Sequence, residues 1–256
     1  MRKPSAKWFL LVPILLFGLS YLDVENQRAP GGWRHASRDP VGLAPDPAVL
    51  REGIVQVYAA RAVRWRGYFG VHTWIAVKPA GAGQYTVYEV TGWRMRRAPT
   101  SVSISNRVPD ARWYGNAPEL IAELRGAGVD DVIERIDAAA HAYPHASKYR
   151  IWPGPNSNTF TAFVLREVPE LRADLPPTAI GKDYLGSHFV AITPSGTGGQ
   201  LSVLGLLGVL AGVEEGFELN LLGLTFGLDP KQLAVKLPLA GDFGFIDTVR
   251  AAEEEP

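Results

Sequence analysis

The chain contains no cysteine among its 256 residues. That excludes disulfides, thiolate zinc sites and a cysteine nucleophile. A cysteine-free chain suits an oxidising compartment without identifying one. An excess of either charge is also missing. The 26 basic and 26 acidic side chains cancel, so there is no electrostatic reason to expect a nucleic-acid partner. No phosphate-binding loop is present, because Gly196 to Gly199 is followed by neither a helix nor a Lys-Ser/Thr pair. His141 and His145 have the i,i+4 spacing of helix-borne metal ligands, but Pro144 interrupts the helix between them. No metal and no cofactor is expected. No internal repeat is found.

What is present is a large apolar content, 46% of the chain, enough for about one domain with room for a subdomain. The N-terminus carries Arg2, Lys3 and Lys7, then an uncharged run from Trp8 to Leu22, then Asp23 and Glu25. Basic, apolar and acidic segments in that order read as a signal anchor or signal peptide. The run is shorter than the ~20 residues of a full span. No small-x-small cleavage site follows it, because bulky Tyr21 and Leu22 come directly after Gly18-Leu19-Ser20. The uncleaved anchor is the preferred reading. It makes the inner membrane a partner through residues 8–22 and puts the bulk of the chain in the periplasm or otherwise outside the cytoplasm. The expected organisation is an anchor or signal at 1–25, a Pro/Gly-rich linker at 26–50, an α+β core at 51–186, a β-rich part of the same domain at 187–250 and an acidic tail at 251–256.

Within the core, Ile54 to Trp65 and Val71 to Lys78 read as strands, as does Tyr85 to Thr91 after a turn at Pro79 to Gln84. The last two form a hairpin. Residues 92–115 have no periodicity but interleave Arg94, Arg96, Arg97, Arg107 and Arg112 with Trp93 and Trp113. They form either a site for an anionic headgroup or a solvated face over buried tryptophans. Pro118 to Leu124 and Val129 to Tyr143 are expected as helices, and another runs from about Thr159 to Glu167, stopped by Pro169. From Phe189 to Pro238, Gly- and Leu-rich runs broken by Glu214-Glu215-Gly216 and Asp229-Pro230 read as an antiparallel meander. Leu201 to Val213 is too short to span a membrane.

The segment Trp152-Pro153-Gly154-Pro155-Asn156-Ser157-Asn158-Thr159-Phe160 delivers small polar residues to a helix start. Ser157 there is either a nucleophile, helped by free N–H groups and the helix dipole, or part of a cap made by Ser157, Asn158 or Thr159. The hairpin places His72 opposite Thr91, which puts Glu89 diagonal to His72 on one face; a one-residue slip would offer Tyr88 instead. His188 reads as a surface or capping histidine ahead of a strand, and Lys182 and Asp183 as a local surface ion pair.

The order YFGVHTWIAVK, RIWPGPNSNTF, LPPTAIGKD resembles a bacterial family of unknown function, number 3750 in the series of domains of unknown function. That resemblance implies no established activity. A strand-borne His followed far downstream by a pair opening a helix is also similar in layout to permuted NlpC-type papain-like enzymes and the lecithin–retinol acyltransferase group. This implies a permuted papain-like core. His72 then takes the place of the strand His, Asn156-Ser157 that of an Asn-Cys pair, and Phe160 that of the apolar residue one turn later. The chain departs at the decisive position, where Ser157 stands for a cysteine. A hydroxyl cannot form the thiolate–imidazolium pair and must lose its proton during attack. The expected function is an envelope binding or structural module with a His72/Ser157 cleft. The alternative is an acyl-transfer hydrolase with Ser157, His72 and Glu89 as its catalytic set. Asn156, Asn158, Trp152, Lys182 and Asp183 are the expected ligand-binding residues, and a cell-wall peptide or a lipid is the expected ligand.

Overall fold

The structure is a computed structural model that describes residues 7–26 and 34–244. The first six residues and the acidic tail at 251–256 lie outside the described residues. Among the described residues there are three α-helices and two antiparallel sheets.

The first sheet is built from β1 (Ile54–Arg61), β2 (Val71–Lys78), β3 (Thr86–Val90), β4 (Val102–Asn106) and β5 (Glu119–Arg125), in the order β4-β3-β2-β1-β5. Alternation along β1 and β2 divides the core in two. Val55, Val57, Ile75 and Val77 face helices α2 (Val129–His141) and α3 (Ser157–Glu167), against Ile136, Phe160 and Val164. Ile54, Tyr58, Trp74 and Ala76 face the other way, toward Trp113. That second face is covered by the segment read as linker, pinned where Leu43 N–H donates to Asp110 at 2.7 Å and Tyr85 OH to the Pro45 carbonyl at 2.9 Å.

Two local expectations are overturned. Pro118 to Leu124 is not a helix; it is most of β5, paired antiparallel to β1. Its sequence suits a helix, but the open edge of β1 offers a full ladder, and long-range pairing outweighs local propensity. A bulge at Val57/Tyr58 absorbs its imperfect alternation. Residues 92–115 are not wholly irregular either, since Val102–Asn106 forms the edge strand β4.

The second sheet is a sequential meander: β6 (Val190–Ile192), β7 (Gly198–Val203), β8 (Leu207–Gly212), β9 (Gly216–Leu221), β10 (Leu224–Asp229), β11 (Ala234–Leu237) and β12 (Gly241–Phe243). The α+β class with a β-rich C-terminal meander is therefore as expected. The alternation in this sheet is inverted. Gln200, Ser202, Glu218, Asn220 and Lys236 point inward and are buried, whereas Leu201, Val203, Phe217, Leu219 and Leu221 point outward. The inner face is satisfied by ion pairs and hydrogen bonds to residues 166–183, described below.

Helix α1 (Lys7–Asn26) lies against the 3₁₀ turn Arg64–Tyr68. Ser20 Oγ donates to the Tyr68 carbonyl at 2.5 Å, Tyr21 stacks on Tyr68, and Asp23 pairs with Arg61 Nε at 2.7 Å. Ile14, Leu15 and Leu22 point outward. No helix among the described residues is long and apolar enough to cross a membrane.

Candidate functional site

The site is built at the start of α3. Asn156 is the N-cap: its Oδ1 accepts from the N–H groups of Asn158 at 3.0 Å and Thr159 at 3.2 Å, while its own N–H donates to Thr159 Oγ1 at 3.1 Å. This reciprocal arrangement satisfies donors that a helix start otherwise leaves bare. Asn156 Nδ2 donates to the carbonyls of Ile151 and Ile180. Gly181 makes room for this side chain. It sits at φ +97°, and a Cβ there would come within 2.8 Å of Asn156 Cγ.

The cap is therefore one residue earlier than expected, and Ser157 does not make it. Ser157 is the first helical residue, only 4% exposed, and its Oγ makes no hydrogen bond among the described residues. Its backbone N–H is also uncommitted among them. Asn158 is fully used: Nδ2 donates to the Val71 and Ile180 carbonyls, and Oδ1 accepts from Thr73 Oγ1 at 3.0 Å. Those bonds fasten α3 to the first residues of β2.

His72 follows Val71 and points to the opposite face of the sheet from Thr73. The hairpin register is Ile75 with Tyr88, Ala76 with Val87 and Val77 with Thr86, which continues to His72 opposite Thr91. Glu89 thus shares a face with His72, and its Oε2 lies 2.9 Å from His72 Nε2. The imidazole stacks on Trp113, with centroids 3.8 Å apart and planes at 11°. Burial pushes the His72 pKa below its ordinary value, against the opposing pull of Glu89. Burial alone would raise Glu89, but the hydrogen bond to His72 and the charges of His72 and Arg107 outweigh it and hold the carboxyl low. A carboxylate only accepts, so Nε2 carries the proton and Nδ1 keeps its lone pair.

His72 and Ser157 reach one cavity of about 350 Å³. It opens at the end of the sheet where β1 stops and β2 begins, so residues from the two faces meet there. His72, Trp152, Asn156, Ser157 and Asn158 all line it, within walls that include Phe69, Trp93 and Trp113. Trp152 Nε1 donates to the Leu222 carbonyl at 2.9 Å, which ties the second sheet to the rim. Glu89 lines a neighbouring cavity of about 850 Å³ together with Arg94, Arg96, Arg97, Arg107 and Arg112. Trp93 and Trp113 form the wall between the two.

Lys182 and Asp183 are not at this site and are not a surface ion pair. Both are buried under the second sheet. Lys182 pairs with Glu218. Asp183 accepts from Gln200 Nε2 and Asn220 Nδ2, each at 2.6 Å. His188 is exposed. Sequence reasoning missed the support that Trp113 gives to the His72 ring. The interleaving of arginine and tryptophan in an aperiodic stretch was the one available signal.

A family model described as a protein of unknown function (DUF3750) matches residues 52–184, more than half of the chain. The match runs from just before β1 to the segment that follows α3. No curated protein and no solved structure matches the chain.

Proposed function

We propose that this chain, which belongs to the DUF3750 family of proteins of unknown function, is a serine-dependent acyl-transfer hydrolase of the cell envelope. One observation carries the reading. The Ser157 hydroxyl is left unbonded among the described residues because Asn156 does the capping, and it lines the same cavity as a histidine already oriented by a carboxylate. In the proposed reaction Ser157 Oγ attacks a carbonyl carbon and its proton passes to His72 Nδ1. The same nitrogen then protonates the leaving alcohol or amine, and water releases the acyl group by the reverse proton path. Glu89 fixes the tautomer, and the free Ser157 N–H at the helix start faces the developing oxyanion. Burial of His72 favours this chemistry. A serine needs a neutral base, and a low imidazole pKa supplies one at neutral pH. The apolar residues 8–22 suit attachment to the inner membrane, with the site outside the cytoplasm.

A second reading, ligand binding without turnover, is favoured by the placement of His72 on the sheet face away from α3. A fluorophosphonate probe separates the two. The full chain is expected to be labelled in the detergent-extracted membrane fraction, a chain lacking residues 1–25 in the soluble fraction, and Ser157→Ala in neither. Labelling of Ser157→Ala equal to that of the unsubstituted chain would overturn the nucleophile.

A further inference from the structure

The basic cavity and the apolar cavity share a wall, and that wall is where the His72–Glu89 pair sits. His72 lines the apolar side and Glu89 the basic side. Arg38, Arg94, Arg96, Arg97, Arg107 and Arg112 line the basic cavity, with Glu89 as its one acidic residue among the described residues. Glu89 is already engaged by His72 and, at 3.7 Å, by Arg107. Arg94, Arg96 and Arg97 make no ion pair among the described residues. Arg107 is held over the Trp74 ring at 5.3 Å; its Nη2 faces the Glu89 carboxylate at 3.7 Å, an ion pair beyond hydrogen-bond reach, and its buried Nε makes no hydrogen bond among the described residues. Buried guanidinium N–H groups left without a hydrogen bond are costly unless an acceptor arrives, and one ion pair does not satisfy them. Planar guanidinium groups in number match the oxygens of a phosphate or carboxylate. The other side of the wall is suited to hydrocarbon. Its volume falls in the range of small-molecule pockets, and Trp65, Phe69, Trp93, Ile151, Trp152 and Leu222 stand half-exposed around it. Phe69 also touches Phe17 of α1, with ring centroids 5.9 Å apart. The apolar cavity therefore opens beside the most apolar of the described helices, and amphipathic aromatic rings favour that interfacial level.

We propose that the ligand of this site is an anionic membrane lipid, its acyl chain in the apolar cavity and its negatively charged headgroup among the arginines. The bound lipid passes the Trp93–Trp113 wall, which presents its acyl linkage to His72 and Ser157. This rests on the acyl-transfer reading for the fate of the lipid, but binding needs no nucleophile.

The test uses the full Ser157→Ala chain in nanodiscs of neutral phosphatidylcholine, with energy transfer from tryptophan to dansyl-labelled lipids. Dansyl phosphatidylglycerol is expected to bind roughly tenfold or more tightly than dansyl phosphatidylcholine of the same chain length. The double variant Arg96→Glu/Arg97→Glu, both exposed positions, is expected to remove that preference, and added salt to weaken it. Circular dichroism on the variant checks the fold, and Arg96→Lys/Arg97→Lys is expected to keep a partial preference. Equal binding of the two lipids would overturn the proposal. So would a preference untouched by the double variant, or competition by inorganic phosphate as effective as competition by lipid. Probe labelling of the chain with Ser157 intact is read separately. Loss of labelling alone counts against acyl transfer, and loss of lipid selectivity alone counts against the anionic amphiphile.

Discussion

At the scale of the residue, the site depends on the charge state of one imidazole. The His72 pKa lies below the ordinary histidine value because the ring is buried, so at neutral pH the base is free to take a proton. Labelling at Ser157 is expected to rise with pH along a single limb whose midpoint is below 6.5, followed by a plateau. A midpoint above that value would mean that a different group limits the rate. The same shift has a stability sign. Between the two pKa values the unfolded chain binds a proton that the folded chain does not, so stability rises with pH there and is lost as pH falls below about 6.5. Glu89→Gln replaces an acceptor-only carboxylate by an amide whose NH2 can donate to Nε2 and select the other tautomer, and is expected to slow labelling on the order of 100-fold or more. This pair was legible in the sequence because strand alternation and turn position place His72 and Glu89 on one face by arithmetic. The stacked Trp113 was not legible, since it arrives from a stretch with no period to count.

At the scale of the element, the start of α3 separates structure from chemistry. Asn156 holds two helix N–H groups and two loop carbonyls. Asn156→Ala is therefore expected to cost at least about 2 kcal/mol, the upper end for a cap, because it also strands buried acceptors. Gly181→Ala is expected to cost more than about 1 kcal/mol through its positive φ and its contact with Asn156. Ser157→Ala, which removes a hydroxyl without a hydrogen bond among the described residues, is expected to stay within about 0.5 kcal/mol. Chemical denaturation of the three variants checks the ranking. If Ser157→Ala were as destabilising as Asn156→Ala, the hydroxyl would have a structural partner and its freedom to react would be lost as an argument. The helix was legible from its Pro/Gly lead-in and apolar spacing, but the capping residue was not. Four consecutive residues from Asn156 to Thr159 are all good caps by type, and only the fit of Asn156 against Gly181 and Ile180 selects among them. The strand β5 was illegible for a related reason. Its local preference is helical, and the partner that overrides it lies more than fifty residues upstream in β1.

At the scale of the whole molecule, the second sheet holds the site's floor through buried charge. Lys182 pairs with Glu218, and Lys236 Nζ reaches Glu218 at 2.8 Å and Asp174 at 2.5 Å. The chain from Asp174 to Asp183 is thus clamped to β9 and β11. That same chain supplies the Ile180 and Gly181 carbonyls that fix Asn156, Asn158 and Thr159. The alternation of these strands could be read from the sequence, but not which side would be inside. Apolar residues inward is the default, and the reverse occurs because the layer beneath presents Arg166, Asp174, Lys182 and Asp183 rather than a hydrocarbon surface. A buried ion pair is weak evidence for net stability, yet removing one partner is costly. Glu218→Gln leaves two buried ammonium groups facing a neutral amide and is expected to destabilise the fold by about 3–5 kcal/mol. It is also expected to lower Ser157 labelling under conditions where the protein remains folded by circular dichroism, because the clamp and the α3 cap share one segment. Gln200→Ala, which disturbs the same inner face at Asp183 and Arg166 without stranding a lysine, is expected to reduce both effects together. Destabilisation by Glu218→Gln with labelling unchanged in the folded fraction would mean that the meander supports the core without positioning the nucleophile.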